Sequence, residues 1–165
     1  MTRQNSVSLQ VPIIPSQIEA VTALLNTGGN PHKEGSFFAF EKIPTVHFAR
    51  WIIAPKTDKF PASLIYAANI DGDETQHLKD LVSILSYGLD QIFAHCVGYP
   101  DEAARNDASR LTYLKQHVIK TQGFYVGAPN RTVQQVRNEA ELHDAVRDYV
   151  KNNGSTWSNR KEAYK

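Results

Sequence analysis

Residues 45–54, TVHFARWIIA, lie between Pro44 and Pro55 and are rich in β-branched and aromatic side chains. Such a run is a strand, because branched and ring side chains suit a pleated surface and prolines interrupt ladder pairing. Its alternation is the constraint. One side carries Val46, Phe48, Arg50 and Ile52, and the other carries His47, Ala49, Trp51 and Ile53. A half-covered antiparallel sheet would alternate apolar with polar residues. The next strand, 63–70 (SLIYAANI), follows a loop at 56–62 and offers Leu64, Tyr66 and Ile70 on one side, Ile65 and Ala67 on the other. Both faces are therefore predicted to be buried. Helices cover one face. The second calls for an extra helix, the last helix or a second copy, and a second copy makes a two-fold homodimer with sheets face to face.

The other elements follow from periodicity and punctuation. Residues 6–13 (VSLQVPII) read as a short strand whose Pro12 confines it to an edge or an end. Ser16 with Glu19 reads as a capping box for a helix over 16–27, stopped by Gly28-Gly29. Residues 28–36 are a loop, and 37–40 (FFAF) a short apolar run. Leu78, Leu81, Val82, Leu85, Leu89, Ile92 and Phe93 form one stripe of a long helix capped by Asp73, with Gln76 placed as its capping-box partner. A weaker stripe predicts a helix over 101–119, residues 122–128 a short strand, and Thr132 with Gln135 the start of a last helix to about 152. Removing the extra and last helices leaves βαββαβ. That order predicts a ferredoxin-like α+β fold: a four-stranded antiparallel sheet with two helices on one face. Residues 1–153 form this domain, and 154–165 read as a polar tail that Trp157 could dock.

Composition excludes several classes. With 18 basic against 17 acidic side chains, the net charge of +1 offers no basic stripe for nucleic acid. No stretch has the length of a signal peptide or a membrane span, so a soluble, cytoplasmic protein is expected. Cys96 is the one cysteine, which rules out an internal disulfide and suits a small buried hydrophobe.

Five residues are candidates for ligand binding: Arg50, His47, Asp71, His95 and His143. A guanidinium in a buried strand needs a carboxylate or anionic ligand, and the plainer reading is a structural ion pair. His47 is mid-strand, three residues from Arg50, so the two are predicted on opposite faces. A hydrogen-bonded core imidazole is its simpler role. Asp71 and Asp73 flank Gly72. They could bind a metal or act as acid and base, but Asp-Gly is ordinary turn chemistry. His95 gains from the C-terminal dipole of the long helix, and His143 falls near the stripe of the last one. His77 and His117 read as solvated or at helix edges. No zinc-ligand spacing, P-loop or GxSxG is present.

The segments VHFARWII and LIYAANIDGD, with a helix opening in HLKDL, are similar to the dimeric α+β-barrel superfamily. The later GLDQIFAHCVGYP and FYVGAPNRTVQQVRNEAELHDAV extend the likeness over roughly residues 7–150. The chain most resembles uncharacterised relatives of dye-decolourising peroxidases. In that family a GxxDG motif bears a distal Asp and a histidine holds haem. Asp71-Gly72 stand at the end of that motif, and Ala68 stands where its first Gly would be. The resemblance implies a barrel-forming homodimer and haem as a cofactor. Two functions follow as expectations. One is a small-molecule-binding or assembly domain, taking a small apolar or carboxylate ligand and positioned within a larger protein. The other is a haem-dependent peroxidase or monooxygenase-like enzyme.

Overall fold

The computed structural model describes residues 3–28 and 36–162, with side chains through 153. Strands β1 (Gln4–Pro12), β2 (Val46–Ala54) and β3 (Ser63–Asp71) form an antiparallel sheet in the order β1-β3-β2. The helices are α1 (Ile18–Gly28), α2 (Glu74–Phe93), α3 (Asp107–Gln116) and α4 (Val133–Glu162). Residues Met1–Asn130 make one compact unit and Arg131–Lys165 a second.

The α+β class agrees with the sequence, but among the described residues the sheet has three strands, not the four of the ferredoxin-like expectation. Residues 122–128 are irregular. The free edge of β1 is met instead by residues 117–119: Gln10 N donates to the His117 carbonyl at 3.0 Å and Ile119 N to the Ser8 carbonyl at 2.9 Å. Two bonds and a single bridge, Leu9 to Val118, do not make a strand. Gly123 and Gly127 supply the physical reason, since glycine orders at high entropic cost in a ladder.

The inner face of the sheet carries the core. Val7, Leu9 and Val11 of β1 and Leu64, Tyr66, Ala68 and Ile70 of β3 are all buried. The predicted stripe of α2, from Leu78 to Phe93, packs on them, and Val21 of α1 with Tyr113 and Leu114 of α3 complete the cluster. At ~25 cal/mol per Å² of apolar area this burial dominates stability. Phe38, Trp51, Phe93, Tyr99 and Tyr113 link ring to ring through it, with centroids 4.9–5.9 Å apart. Cys96 is buried as expected, and burial pushes its thiol up to about 12.

Local chemistry explains the helix ends. Asp73 caps α2 by accepting from Gln76 N at 3.0 Å, while the Gln76 side chain turns to Asp80 and leaves the box half-made. Gly72 supplies the turn between β3 and α2 with φ 96°, a conformation that disfavours any Cβ. Within α2, Gly88 is required by close approach. A Cβ there would lie 2.5 Å from the Phe37 carbonyl oxygen. The first helix opens as a 3-10 turn, Pro15–Gln17, whose N-cap Ile14 has no side-chain cap bond, so the Ser16 box does not form there. The extra helix is shorter than the predicted 101–119. Arg105 and Asn106 are extended, and a full Asn106–Ser109 capping box starts α3 at Asp107.

In the second unit Thr132 and Gln135 make the predicted capping box reciprocally, at 2.8 and 3.2 Å. Helix α4 continues through Glu162, so residues 154–162 of the predicted polar tail are helical. The Trp157 side chain, residues 163–165 and most of the predicted 28–36 loop lie outside the described residues.

Candidate functional site

The outer face of the sheet is built by the residues that alternate with the core. Registers align Ser6, Asn69 and Phe48, then Ser8, Ala67 and Arg50, then Gln10, Ile65 and Ile52. Phe48 is 69% exposed and Ile52 44% exposed, although both are large apolar residues. Arg50 stands between them, exposed rather than buried, and makes no ion pair among the described residues. Contrary to the sequence reading, the outer edge of this face is open.

A bulge between Val46 and Phe48 changes the placement of the other candidates. Val46 joins Ala49, Trp51 and Ile53 against the core, which breaks the simple alternation. The bulge frees His47 to meet Asp71. Its Nε2 lies 2.9 Å from Asp71 Oδ1 and 3.3 Å from Gln4 Nε2. Gln4 and Asp71 belong to the alternating set of Ser6, Ser8 and Asn69, which shares the Arg50 face. The prediction that His47 and Arg50 are segregated to opposite faces therefore fails, for the physical reason that one extra residue resets the register. The His47–Asp71 pair is mostly buried, with side chains 14% and 6% exposed. The nitrogen that faces Asp71 is occupied, so it does not present a free base to a substrate.

His95 and His143 lie elsewhere. His95 Nδ1 donates to Gln17 Oε1 at 2.9 Å, tying the end of α2 to the turn before α1. His143 is exposed on α4, in the other compact unit. The structure thus brings two of the five candidates together, leaves Arg50 exposed on the open face and puts the two remaining histidines in different compact units.

Clefts among the described residues border the first unit. One, of about 720 Å³, lies beside β1 and is lined by Arg3, Glu74, Lys120 and polar groups. A second, about 370 Å³, runs between α1 and β2 past Arg50 and Trp51. A third, about 330 Å³, lies under Phe60 and Pro61. Neither His95 nor His143 borders any of them. A haem needs an apolar slot with an axial ligand pointing into it, and these clefts do not provide that combination.

No protein-family model, curated protein or solved structure matches the chain. Function must be read from the surface chemistry itself. No helix among the described residues is long and apolar enough to cross a membrane.

Sequence reasoning missed two polar features. His77, read as solvated, is 1% exposed, and its Nε2 lies 3.0 Å from the Tyr66 hydroxyl. Burial lowers its pKa to about 4, partly opposed by Asp80. The signal was available: His77 precedes Leu81 by one helical turn and so lies on the apolar stripe. The second feature joins α2 to α3. Arg110 forks onto both Asp90 oxygens at 2.9 and 2.7 Å, and Tyr99 donates to the same carboxylate. Burial pushes the Asp90 carboxyl up, but these hydrogen bonds prevail and hold it below its ordinary value. No sequence spacing connects residues this far apart.

Proposed function

We propose that the chain is an assembly module that self-associates through the outer face of its sheet. The observation that supports this reading is the exposed pair Phe48 and Ile52, on one strand and one face. Ile65 and Ala67, half-buried, continue the apolar surface toward the sheet centre. Water-exposed apolar patches of this kind are removed from water by docking. A second copy supplies a surface of the same flat, pleated shape, in the self-complementary arrangement of a two-fold dimer. Arg50 contributes its aliphatic stem to the contact and carries its guanidinium to the rim, where a carboxylate of the other copy can receive it.

The test is the mass in solution, by sedimentation velocity across the micromolar range. The wild-type chain is expected as a dimer. Phe48→Asp and Ile52→Glu place charge in the contact and should each give a monomer with an unchanged circular dichroism spectrum. A wild-type monomer throughout that range overturns the proposal, as does a dimer that both substitutions leave intact.

A further inference from the structure

The cleft beside β1 is built by three distant chain segments, and each brings one charge. Arg3 precedes β1, Glu74 opens α2, and Lys120 lies in the irregular segment after α3. Backbone and side-chain hydrogen bonds hold the segments together. Gly72 N donates to the Arg3 carbonyl at 2.8 Å, and the Asn5 side chain donates to the Gly72 carbonyl, so the start of β1 is fastened to the turn that leads into Glu74. Ser6 Oγ donates to Thr121 Oγ1 at 2.8 Å, and Ile119 N reaches the Ser8 carbonyl, which fastens Lys120 on the other side.

None of these three charges has an ion-pair partner among the described residues. Two cationic residues and one anionic residue therefore line a common space of about 720 Å³. Gln122 and Asn130 add amide groups to its lining, and Phe124 an apolar surface. That volume lies within the range of small-molecule sites, on the order of 300–1,000 Å³.

The geometry points to a binding site for a small zwitterion, a molecule of amino-acid to short-peptide size with both a carboxylate and an ammonium group. Arg3 and Lys120 take the carboxylate, as guanidinium and ammonium donors do in charge-assisted pairs. Glu74 takes the ammonium. The amides of Gln122 and Asn130 satisfy the peptide-like polar groups between them, and Phe124 packs on an apolar side chain. A simple anion would leave Glu74 opposed, and a simple cation would leave Arg3 and Lys120 opposed. Neither Phe48 nor Ile52 lines the cleft, while Ser6, which does, shares their face of the sheet.

The probe is the dipeptide Ala-Ala, titrated into the isotopically labelled chain and followed by amide NMR shifts. Saturable shifts are expected at Ser6 and at residues 120–123. Two capped probes read the charges separately. N-acetyl-Ala-Ala lacks the ammonium and Ala-Ala-amide lacks the carboxylate, and each should bind about tenfold more weakly, the loss of one charge-assisted contact. Lys120→Ala should weaken the free dipeptide while leaving the amide unchanged. Glu74→Gln should weaken the free dipeptide while leaving the acetylated form unchanged. Both positions are outside the core, so the spectrum itself reports that the variant is folded. Absence of saturable shifts at these amides overturns the site. Equal affinity for free and capped dipeptides overturns the zwitterion assignment.

Discussion

The two faces of the sheet come from the same three strands yet have opposite fates. On the inner face Tyr66 sits in a shell of Trp51, Phe40 and His77 rings and is wholly buried. On the outer face Phe48, on the neighbouring strand, is left mostly in water. Residue type does not separate them, because both faces carry large apolar side chains. What separates them is cover. The stripe of α2, with contributions from α1 and α3, is matched to one face, and the described residues supply no comparable layer for the edge of the other. Apolar residues on both parities of a strand therefore mean that both faces are suited to burial, and the described residues of the first unit complete only one.

The comparison can be broken most severely from the inner side. Phe93 is fully buried and touches Trp51, Tyr99 and Tyr113 ring to ring. Phe93→Ala should cost about 3–5 kcal/mol in urea unfolding, since a large ring leaves a cavity that packed neighbours fill poorly. A cost near that of a surface substitution would mean that the aromatic core is not the stabilising layer.

Next comes the inner face's buried imidazole. In the folded chain His77 takes up a proton only near pH 4, whereas in the unfolded chain it does so near its ordinary 6.5. Between those values the unfolded state binds more protons, so stability falls as pH falls. The loss begins below about pH 6.5, is complete below about pH 4, and approaches 3 kcal/mol at ~1.36 kcal/mol per unit of pKa difference. His77→Gln lacks this titration. The stability gap between the two proteins should change with pH over that window, and a constant gap would contradict a buried neutral histidine.

The smallest effect belongs to the outer face. Phe48→Ala should change the unfolding free energy of the monomeric chain by less than about 0.5 kcal/mol, as expected for an exposed position. The same substitution should weaken self-association. A large loss of monomer stability would show that Phe48 is covered within its own chain.

The site was partly legible in the sequence. The strands 45–54 and 63–70 were evident from composition, and the α2 stripe from its period, because both depend on neighbours close in the chain. Asp73 as an N-cap was an equally local reading, whereas Asp71, read as a turn residue, is the buried last residue of β3. The pairing of His47 with Asp71 was not legible, because a bulge has no sequence signature strong enough to predict and a single extra residue reverses every side chain beyond it. Arg50 was read as a guanidinium in a buried strand, whereas it stands exposed on the outer face. The cleft of Arg3, Glu74 and Lys120 escaped notice altogether, since its parts come from the two ends and the middle of the first unit.

By itself, then, the sequence determined where the helices lie, the three strand centres, the buried Cys96 and the α+β class, all of them consequences of spacing within one element. Tertiary structure decided how many strands the sheet holds, which face of it is closed, where the bulge sends His47 and which charges share a cleft. These depend on which distant segments pair and which do not. Gly123 and Gly127 withhold a fourth strand, and a single layer of helices can bury only one side of a sheet.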